Sequence, residues 1–379
     1  MKKKVIIVGG GASGLVCAIR LKQVAPDIKI TILEKSDRVG KKILKTGNGR
    51  CNLSNYDMRP DYYNRPGFLR QCLERRDVND IITFFSGIGL LTKSNHASRV
   101  YPYSETAASV LDILRRRLDF YNIEVICDAM VTGIIKKDKF TVTFNNAEME
   151  ADYVVLACGS KAQAETNGYE LAANLGHEII PTRPGLVPLR TTESLKSLRG
   201  LRVKCRASVA NKGKLVYREE GEILFKDQGI SGILTLNLSR HAVPGSEIII
   251  DFLSNADRDA VVKIIENRPK PDVLLGILPK MVALEVGRKI DKFTVENILT
   301  ALGNYKLTVA GTYGFGLAQI TLGGVDVDEI NADFSSKLVP GLYIIGELLD
   351  IDGACGGYNL HFAWTSGLIA AESLGFEKK

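Results

Sequence analysis

The hydrophobic positions of the first 35 residues follow two different periods. Residues 5–8 (Val-Ile-Ile-Val) form an unbroken apolar run, which is typical of a buried strand, and Leu15, Ile19 and Leu21 then lie in an apolar helical pattern. A second run at residues 28–33 ends at Glu34. The pattern therefore predicts a strand, a helix and a second strand, in the order of a βαβ unit.

Three glycines separate the first strand from the helix. Gly9, Gly11 and Gly14 have the spacing G-x-G-x-x-G, in which the glycines allow a tight turn, a close approach by a pyrophosphate, and close helix packing. The helix N-terminus offers free N–H groups and a partial positive charge to the phosphates. Glu34 lies 20 positions after Gly14, where a carboxylate can bind ribose hydroxyls. We predict a dinucleotide site; the alternative is a packing turn without phosphate.

The middle of the chain changes from helical to alternating periods. Residues 68–91 and 105–121 have the spacing of amphipathic helices, the second beginning near Ser104. Alternation then predicts an antiparallel meander with a hairpin turn at Asn145-Asn146, followed by a buried return strand. These strands are 123–126, 131–135, 140–144, 147–150 and 153–158. Such a meander with a return strand is an addition found on FAD-binding Rossmann folds.

Residues 201–252 alternate over short runs, which predicts a small β-barrel or curved sheet. The runs are 203–209, 214–218, 222–225, 235–238 and 247–253, with a tight turn at 229–232. Residues 256–303 then have helical periods, broken at Pro269 and Pro271, with Thr294 as an N-cap. Because residues 306–310 and 317–322 return to a β pattern, the helical segment is predicted to be inserted into the sheet domain.

The end of the chain returns to an α/β pattern. Residues 341–346 predict a buried strand, residues 347–357 a glycine-containing turn, and a helix begins at Tyr358. This unit can point a helix N-terminus at a second part of the cofactor, and near a flavin pyrimidine ring that positive end would stabilise the reduced anion. An ordinary terminal βα unit is the alternative.

The loop at residues 38–55 is rich in glycine and lysine and has no clear period. Gly47, Gly49 and the enclosed Cys51-Asn52 are suited to close backbone approach, so we predict that the loop lies along a pyrophosphate or a ring edge. The alternative is an exposed basic loop.

Composition narrows the class of protein only moderately. The 379 residues carry a net charge of +7, and no apolar stretch has the length of a membrane span. The seven cysteines never form C-x-x-C and the four histidines lack metal-ligand spacing, so we expect a reducing, cytoplasmic location and no metal site. Arg115, Arg116 and Arg117 fan around a helix, which predicts a solvated surface rather than a nucleic-acid stripe. Lys-rich residues 1–4 are not read as a secretory signal, because glycines interrupt the apolar run.

Several segments together resemble the bacterial HI0933-like flavoproteins, which include aminoacetone oxidase-like and bile-acid Δ4,6-reductase-like proteins. The segments are GGGASG (9–14), GKK (40–42), GNGRCN (47–52), PYS (102–104), GGV (323–325), GELLD (346–350) and GGYNL (356–360). The resemblance implies an α/β fold in which a glutathione-reductase-like FAD-binding Rossmann domain carries an inserted β-barrel domain and a small helical subdomain. The implied domains are 1–188 with 325–379, 189–253 with 305–324, and 254–304.

The resemblance also implies which residues bind FAD. Those for the pyrophosphate are Gly9, Gly11, Ala12, Ser13 and Gly14, and those for the adenosine are Glu34, Lys35 and the backbone at Val131. Those toward the ring are Lys42, Gly49, Arg50, Cys51 and Asn52, and those at the isoalloxazine are Gly346, Glu347, Gly357, Tyr358 and Asn359. Gly159 is a further predicted cofactor-binding residue. One position departs from the family pattern, because His361 stands where relatives often carry glutamine.

The expected activity is that of an FAD-dependent oxidoreductase that transfers hydride between flavin N5 and a small organic substrate. No second G-x-G-x-x-G follows a strand, so NAD(P)H would dock transiently as a co-substrate, or oxygen or another acceptor would be used. Cys51 and His361 are the catalytic candidates, the first as a thiol and the second as a proton donor; plain packing is the alternative.

Three other functions stay open. They are an RNA-modifying flavoprotein, prompted by the positive charge, an oxygen-using amine oxidase, and a flavin protein with a structural or sensory role. Binding of nucleic acid or membrane is not expected, and the oligomeric state is left open.

Overall fold

A computed structural model of the chain describes residues 2–267 and 272–376. The chain divides into two compact units. We call Met1–Arg183 with Ile320–Lys379 the sheet unit, and Pro184–Gln319 the barrel unit. The helix break predicted at Pro269 and Pro271 lies outside the described residues.

The helices and strands follow one another along the chain in mixed order. The strands are β1 (Lys4–Val8), β2 (Lys29–Leu33), β3 (Ser54–Asn55), β4 (Thr92–Ser94), β5 (Arg99–Pro102), β6 (Glu124–Ile126), β7 (Val131–Lys136), β8 (Phe140–Phe144), β9 (Ala147–Ala151), β10 (Tyr153–Leu156), β11 (Ile179–Gly185), β12 (Leu189–Thr191), β13 (Arg202–Asn211), β14 (Lys214–Lys226), β15 (Gly229–Ser231), β16 (Glu247–Asp251), β17 (Tyr305–Thr312), β18 (Ile320–Val325) and β19 (Leu342–Ile344). The helices are α1 (Ala12–Val24), α2 (Pro66–Arg75), α3 (Val78–Gly87), α4 (Ala107–Phe120), α5 (Gly168–Asn174), α6 (Ile233–Leu238), α7 (Arg258–Glu266), α8 (Lys280–Gly287), α9 (Val295–Gly303) and α10 (Tyr358–Phe376).

A parallel sheet with strand order β19-β10-β1-β2-β6 forms the centre of the sheet unit. Val5 to Val8 pair with β10 on one side and with β2 on the other, so β1 is a central strand. The side chains on both of its faces are buried. This explains why its sequence is an unbroken apolar run. Two antiparallel sheets, β7-β8-β9 and β3-β5-β4, are attached to this unit.

Helices α1 and α10 pack tightly against each other in the sheet unit. A Cβ at Gly367 would lie 2.6 Å from the Ser13 carbonyl oxygen and 3.2 Å from the Cys17 nitrogen, so only glycine permits this approach. Helix α10 is buried on nearly every side, in keeping with its largely apolar sequence. Helices near the two ends of the chain are thereby held together in one core.

The barrel unit contains a closed barrel with strand order β12-β15-β14-β13-β16-β17 in its described residues. Its hydrophobic core is formed by residues from Leu189 to Val309 and shares no member with the core of the sheet unit. Helices α7, α8 and α9 contribute Val261, Val282 and Ile298 to this core. The predicted barrel is thus confirmed, and the finer boundary that sets residues 254–304 apart stays a prediction.

Several predicted elements were wrong in detail. Residues 235–238 belong to helix α6 instead of a strand, and Gly229–Ser231 is strand β15 instead of a turn. Residues 214–218 and 222–225 belong to one strand, β14. The helix predicted at 68–91 is two helices, because Asp77 and Asp80 form a capping box that starts α3.

Other local predictions are confirmed. Asn145 and Asn146 both have positive φ, at 46° and 62°, as the predicted hairpin turn requires. Thr294 caps helix α9 by accepting a hydrogen bond from the Asn297 nitrogen at 3.2 Å. Among the helices of the described residues, none has both the length and the apolar character needed to cross a membrane.

Candidate functional site

The carboxyl ends of four parallel strands bring the predicted nucleotide-binding segments to one edge of the sheet. The Gly9 nitrogen donates to the Leu33 carbonyl at 2.8 Å, where β1 and β2 end. The Ala157 nitrogen donates to Val8 at 2.8 Å, and Ile345 to Leu156 at 3.0 Å. Loops that follow these strands therefore line up side by side, which is where ligands bind in open α/β sheets.

The glycine loop has one open face. A Cβ at Gly9 or at Gly14 would overlap backbone atoms, and Gly9 has a φ of +107°, so the fold itself requires both glycines. A Cβ at Gly11, by contrast, would meet nothing within 4 Å. Helix α1 starts beside this space with no side-chain cap and no acidic residue in its first turn. The space and the uncapped N–H groups suit an anionic diphosphate.

Glu34 is held in place at the end of β2. Its carboxylate accepts hydrogen bonds from the Gly10 nitrogen at 2.8 Å and from the Ser36 nitrogen at 2.9 Å. The segment before β7 joins this end of the sheet, since the Ala129 nitrogen donates to the Glu34 carbonyl at 2.8 Å. Lys35, next to Glu34, is exposed.

The Val131 backbone lies at the start of β7, in the same region as Glu34. Its carbonyl accepts a hydrogen bond from Asn167 Nδ2 at 2.7 Å. Asn167 was not found from the sequence. Its position has no sequence signal of its own, because it is defined by a partner distant in the chain.

Lys42 and Glu347 join the loop at 38–55 to the end of β19. Lys42 Nζ lies 2.7 Å from Glu347 Oε2 and 3.4 Å from Ser160 Oγ. The other Glu347 oxygen accepts from the Thr321 nitrogen at 3.2 Å. Gly346, with a φ of +70°, lies directly against the side chain of Ser13. The fold thus brings both ends of the chain and the basic loop to one place.

The segment Cys51–Asn55 packs against the turn before α10. Asn55 Nδ2 donates to the Gly356 carbonyl at 3.0 Å. A Cβ at Gly357 would lie 2.8 Å from Asn52 Oδ1, a buried oxygen with no hydrogen-bond partner in the described part of the chain. Asn359 closes the turn, since its Oδ1 accepts from the Gly353 nitrogen at 2.8 Å.

The remaining predicted residues of this region have different surroundings. Tyr358 is buried and its carbonyl accepts from Tyr63 at 2.7 Å. Gly49 and Arg50 are exposed, and the Arg50 guanidinium lies 5.2 Å from the Tyr101 ring centroid. Gly159, with a φ of +67°, has open space where a Cβ would project.

The two catalytic candidates are both fully buried. Cys51 is 0% exposed, and burial raises the pKa of its thiol to about 12. His361 is also 0% exposed; its Nδ1 lies 2.9 Å from Ser54 Oγ, and burial lowers its pKa to about 4. The catalytic roles of both residues stay predictions.

The turn at residues 347–357 contains one partner of an ion pair that the sequence did not reveal. The carboxylate of Asp350, which is buried, accepts from Arg65 Nε at 2.9 Å and from Asn64 Nδ2 at 3.1 Å. Arg65 and Asp350 are 285 positions apart in the sequence, so no local pattern could have paired them.

Comparison with known proteins gives a consistent family. The model of the HI0933-like protein Rossmann domain matches residues 3–373. A 3-dehydro-bile acid delta(4,6)-reductase of Clostridium scindens is 34% identical, over 97% of this chain and 98% of the relative. A ribosomal RNA dihydrouridine synthase of Haemophilus influenzae is 29% identical over 97% and 98%, respectively.

Solved structures extend the likeness in fold. A 3-ketosteroid delta1-dehydrogenase from Sterolibacterium denitrificans has a TM-score of 0.53 at 14% identity, over 100% of each chain. A 3-ketosteroid-delta4-(5alpha)-dehydrogenase from Rhodococcus jostii has a TM-score of 0.52 at 14% identity, over 98% of this chain and 97% of that chain.

Fold and relatives define the class: the predictions of a mixed α/β fold with a Rossmann domain and of an FAD-dependent oxidoreductase are confirmed at that level. The chain belongs to the HI0933-like family, as its motifs predicted.

Proposed function

We propose that this chain is an FAD-dependent reductase that saturates a carbon–carbon double bond conjugated to a carbonyl group. The observation that carries the cofactor part is the meeting of three segments at one sheet edge: the open glycine loop, Lys42 with Glu347, and the turn before α10. Segments so distant in the chain are brought together where a long dinucleotide could contact each of them.

The relatives support the type of reaction. The bile-acid enzyme, by its name, acts on double bonds next to the ketone of a 3-dehydro steroid. Dihydrouridine is uridine whose pyrimidine double bond, conjugated to a ring carbonyl, has been saturated. The two substrates share little except this kind of bond. We therefore propose that this chain acts on the same type of bond, and that its substrate need not match either relative's substrate in size.

The residues of the sheet edge would divide the work of holding FAD. The open face at Gly11 and the N–H groups of α1 would bind the diphosphate, and the Glu34 carboxylate would accept hydrogen bonds from the adenosine ribose. The N-terminus of α10 would face the flavin end, where its positive dipole favours an anionic ring. Bound flavin supplies the hydride that reduces the double bond, and a proton completes the saturation.

The electron source belongs to the same proposal. We propose that NAD(P)H is the electron source. It would dock transiently, because the sequence contains no second glycine fingerprint after a strand that could form a nicotinamide domain. An oxygen-using amine oxidase is the competing arrangement, in which the substrate reduces the flavin and oxygen takes the electrons.

Anaerobic spectroscopy separates these functions. The purified protein is expected to be yellow, to bleach with NADH or NADPH, and to recover its colour when an enone is added. The product is expected to be about 2 Da heavier than the enone, which corresponds to two added hydrogen atoms. A colourless protein that cannot be reconstituted with FAD would contradict the cofactor assignment. Bleaching by amines with recovery only in oxygen would instead establish the oxidase.

RNA is a second candidate substrate. Two relatives are named ribosomal RNA dihydrouridine synthases, those of Haemophilus influenzae and Escherichia coli, so a nucleic-acid substrate stays open despite the contrary expectation from the sequence. The distribution of charge favours this candidate, because residues 184–319 contain 20 Lys and Arg against 14 Asp and Glu. The barrel unit therefore carries +6 of the chain's net charge of +7.

A further inference from the structure

The barrel unit has two cations on its surface that contact one aromatic ring. Arg190 Cζ lies 4.9 Å and Lys226 Nζ 4.5 Å from the centroid of the Tyr313 ring. Arg190 and Lys226 both pair with Gly229 of β15, from β12 and from β14 respectively. The central position of this row is a glycine, where backbone atoms of Leu189 and Arg190 fill the place of a side chain.

Neither cation is neutralised by a carboxylate. In the described part of the chain, several other arginines of the barrel unit form ion pairs, such as Arg202 with Glu222 at 2.6 Å and Arg199 with Asp227 at 3.3 Å. Arg190 and Lys226 have no ion pair there, and the ring is the contact that holds them. Their charge is therefore available to a ligand at little desolvation cost.

The segment that carries Tyr313 is open and free of negative charge. Residues 311–318 read Gly-Thr-Tyr-Gly-Phe-Gly-Leu-Ala, with no acidic residue. A Cβ at Gly311, Gly314 or Gly316 would meet nothing within 4 Å. Leu317 is 52% exposed. The phosphates and flat bases of a nucleic-acid strand could approach this protein backbone closely.

We propose that the surface formed by Arg190, Lys226, Tyr313 and residues 314–317, here the barrel patch, binds single-stranded RNA. The two cations turn from the ring to phosphates of the RNA backbone, and a ring face that is then free stacks on an unpaired base. A duplex offers phosphates but no free base face, so single strands bind better. The inference concerns docking and does not depend on which bond the flavin reduces.

Binding of a fluorescein-labelled, single-stranded oligouridine to the full-length holoprotein tests the barrel patch. R190A/K226A is expected to raise Kd about 25-fold at about 0.1 M salt and to lower the slope of log Kd against log salt by about 1.4, the values for two lost phosphate contacts. Tyr313→Ala is expected to raise Kd with little change in that slope, because stacking releases no counterions.

The matched control removes the same net charge elsewhere in the barrel unit. R202A/R288A deletes two exposed arginines that are paired with Glu222 and Glu285, and it is expected to change Kd less than threefold, about 0.6 kcal/mol in binding. Flavin absorbance and thermal unfolding confirm that each variant is folded. Equal losses in the two double variants would overturn the patch, as would equal affinity for duplex RNA of the same length.

The outcome of the RNA-binding test can be distinguished from the outcome of the test for enone reduction. Enone reduction by R190A/K226A is expected to equal that of the wild type. A wild type that binds RNA through the patch but reduces no enone would contradict the proposed reaction and leave the patch intact, whereas the reverse outcome would overturn the patch alone.

Discussion

Gly11 and Gly14 are three residues apart in one loop, yet they face different surroundings. Open space lies where a Gly11 side chain would project, whereas a Cβ at Gly14 would overlap the Gly9 carbonyl and lie 3.2 Å from the Ala157 Cβ. We expect Gly11→Ala to fold with unchanged stability and to weaken FAD binding about tenfold, or about 1.4 kcal/mol, because the added methyl occupies the diphosphate position. Reconstitution titrations with FAD measure this.

Gly14→Ala is the matched variant. It is expected to lower the free energy of unfolding by about 1–3 kcal/mol even without FAD, since the overlap lies in the protein itself. Urea denaturation of the apoproteins distinguishes the two effects. Unchanged FAD affinity in Gly11→Ala would place the diphosphate elsewhere.

His361 makes stability depend on pH. Burial lowers its pKa from 6.5 to about 4, so the unfolded chain takes up a proton between these values while the folded protein does not. Protonation therefore favours unfolding, and the contribution of His361 to stability is lost as pH falls through that range. We expect a loss of about 2 kcal/mol between pH 7 and pH 5 from this residue.

His361→Gln isolates this contribution, because glutamine can keep a hydrogen bond to Ser54 but does not titrate. Urea denaturation of both proteins at the two pH values is the measurement. The wild type should lose about 2 kcal/mol more than the variant on acidification. Equal losses would show that His361 is not the buried neutral group that its position implies.

Helices α1 and α10 meet through Gly367, which makes their packing sensitive to a single methyl group. In an unconstrained helix, Gly→Ala adds up to about 1 kcal/mol of stability. At Gly367 the new Cβ would meet the Ser13 carbonyl oxygen at 2.6 Å, so we expect a loss of about 1–3 kcal/mol. Because Ser13 lies in the first turn of α1, FAD affinity is expected to fall as well.

Gly87→Ala provides the control for Gly367. Gly87 ends α3, and its Cβ would meet nothing within 4 Å, so this substitution is expected to be neutral or stabilising. Thermal unfolding and FAD titration of the two variants measure the difference. A neutral or stabilising effect of Gly367→Ala would mean that α1 and α10 are not in such close contact.

Elements whose patterns are local were predictable from the sequence. The meander β7-β8-β9 has short alternating strands, and its Asn-Asn turn specifies the hairpin by itself. Helix α6 was mistaken for a strand because Thr-Leu-Asn-Leu alternates over only four residues. There, Gly232, with a φ of +96°, redirects the chain, and Leu234 packs against Gly221 of β14 as part of a helix.

The same distinction applies to side chains on helices. Arg115 and Arg117 were predicted to be solvated, but Arg115 donates to the Val39 carbonyl at 2.6 Å and Arg117 to the Ile88 carbonyl at 3.0 Å. Helical geometry showed correctly that the three arginines do not form one stripe. It could not show which carbonyls from other segments lie beside them.

The barrel unit is expected to fold without the sheet unit. It is continuous in sequence, from Pro184 to Gln319, and its core contains no residue of the other unit. Residues 184–319 expressed alone should therefore unfold in one cooperative step in urea, with an m-value of about 1–3 kcal/mol per molar. Circular dichroism and near-ultraviolet signals would both follow this transition.

The sheet unit provides the contrast, since it is made from two separated stretches of chain. Residues 1–183 alone lack β19 and α10, so they are expected to be insoluble or to lack cooperative unfolding. A folded fragment 1–183, or a barrel unit without a cooperative transition, would contradict this division of the molecule.

The sequence alone determined the βαβ start, the order of the main elements and the family. These depend on period, turn chemistry and glycine spacing, which act within a few residues and can be seen along a single chain. The contacts of Lys42 with Glu347, Asn55 with Gly356 and Ser13 with Gly346 were decided only by the tertiary structure. Each of these pairs joins residues about 300 positions apart, and no local periodicity specifies which distant side chain will be brought beside another when the parallel strands assemble.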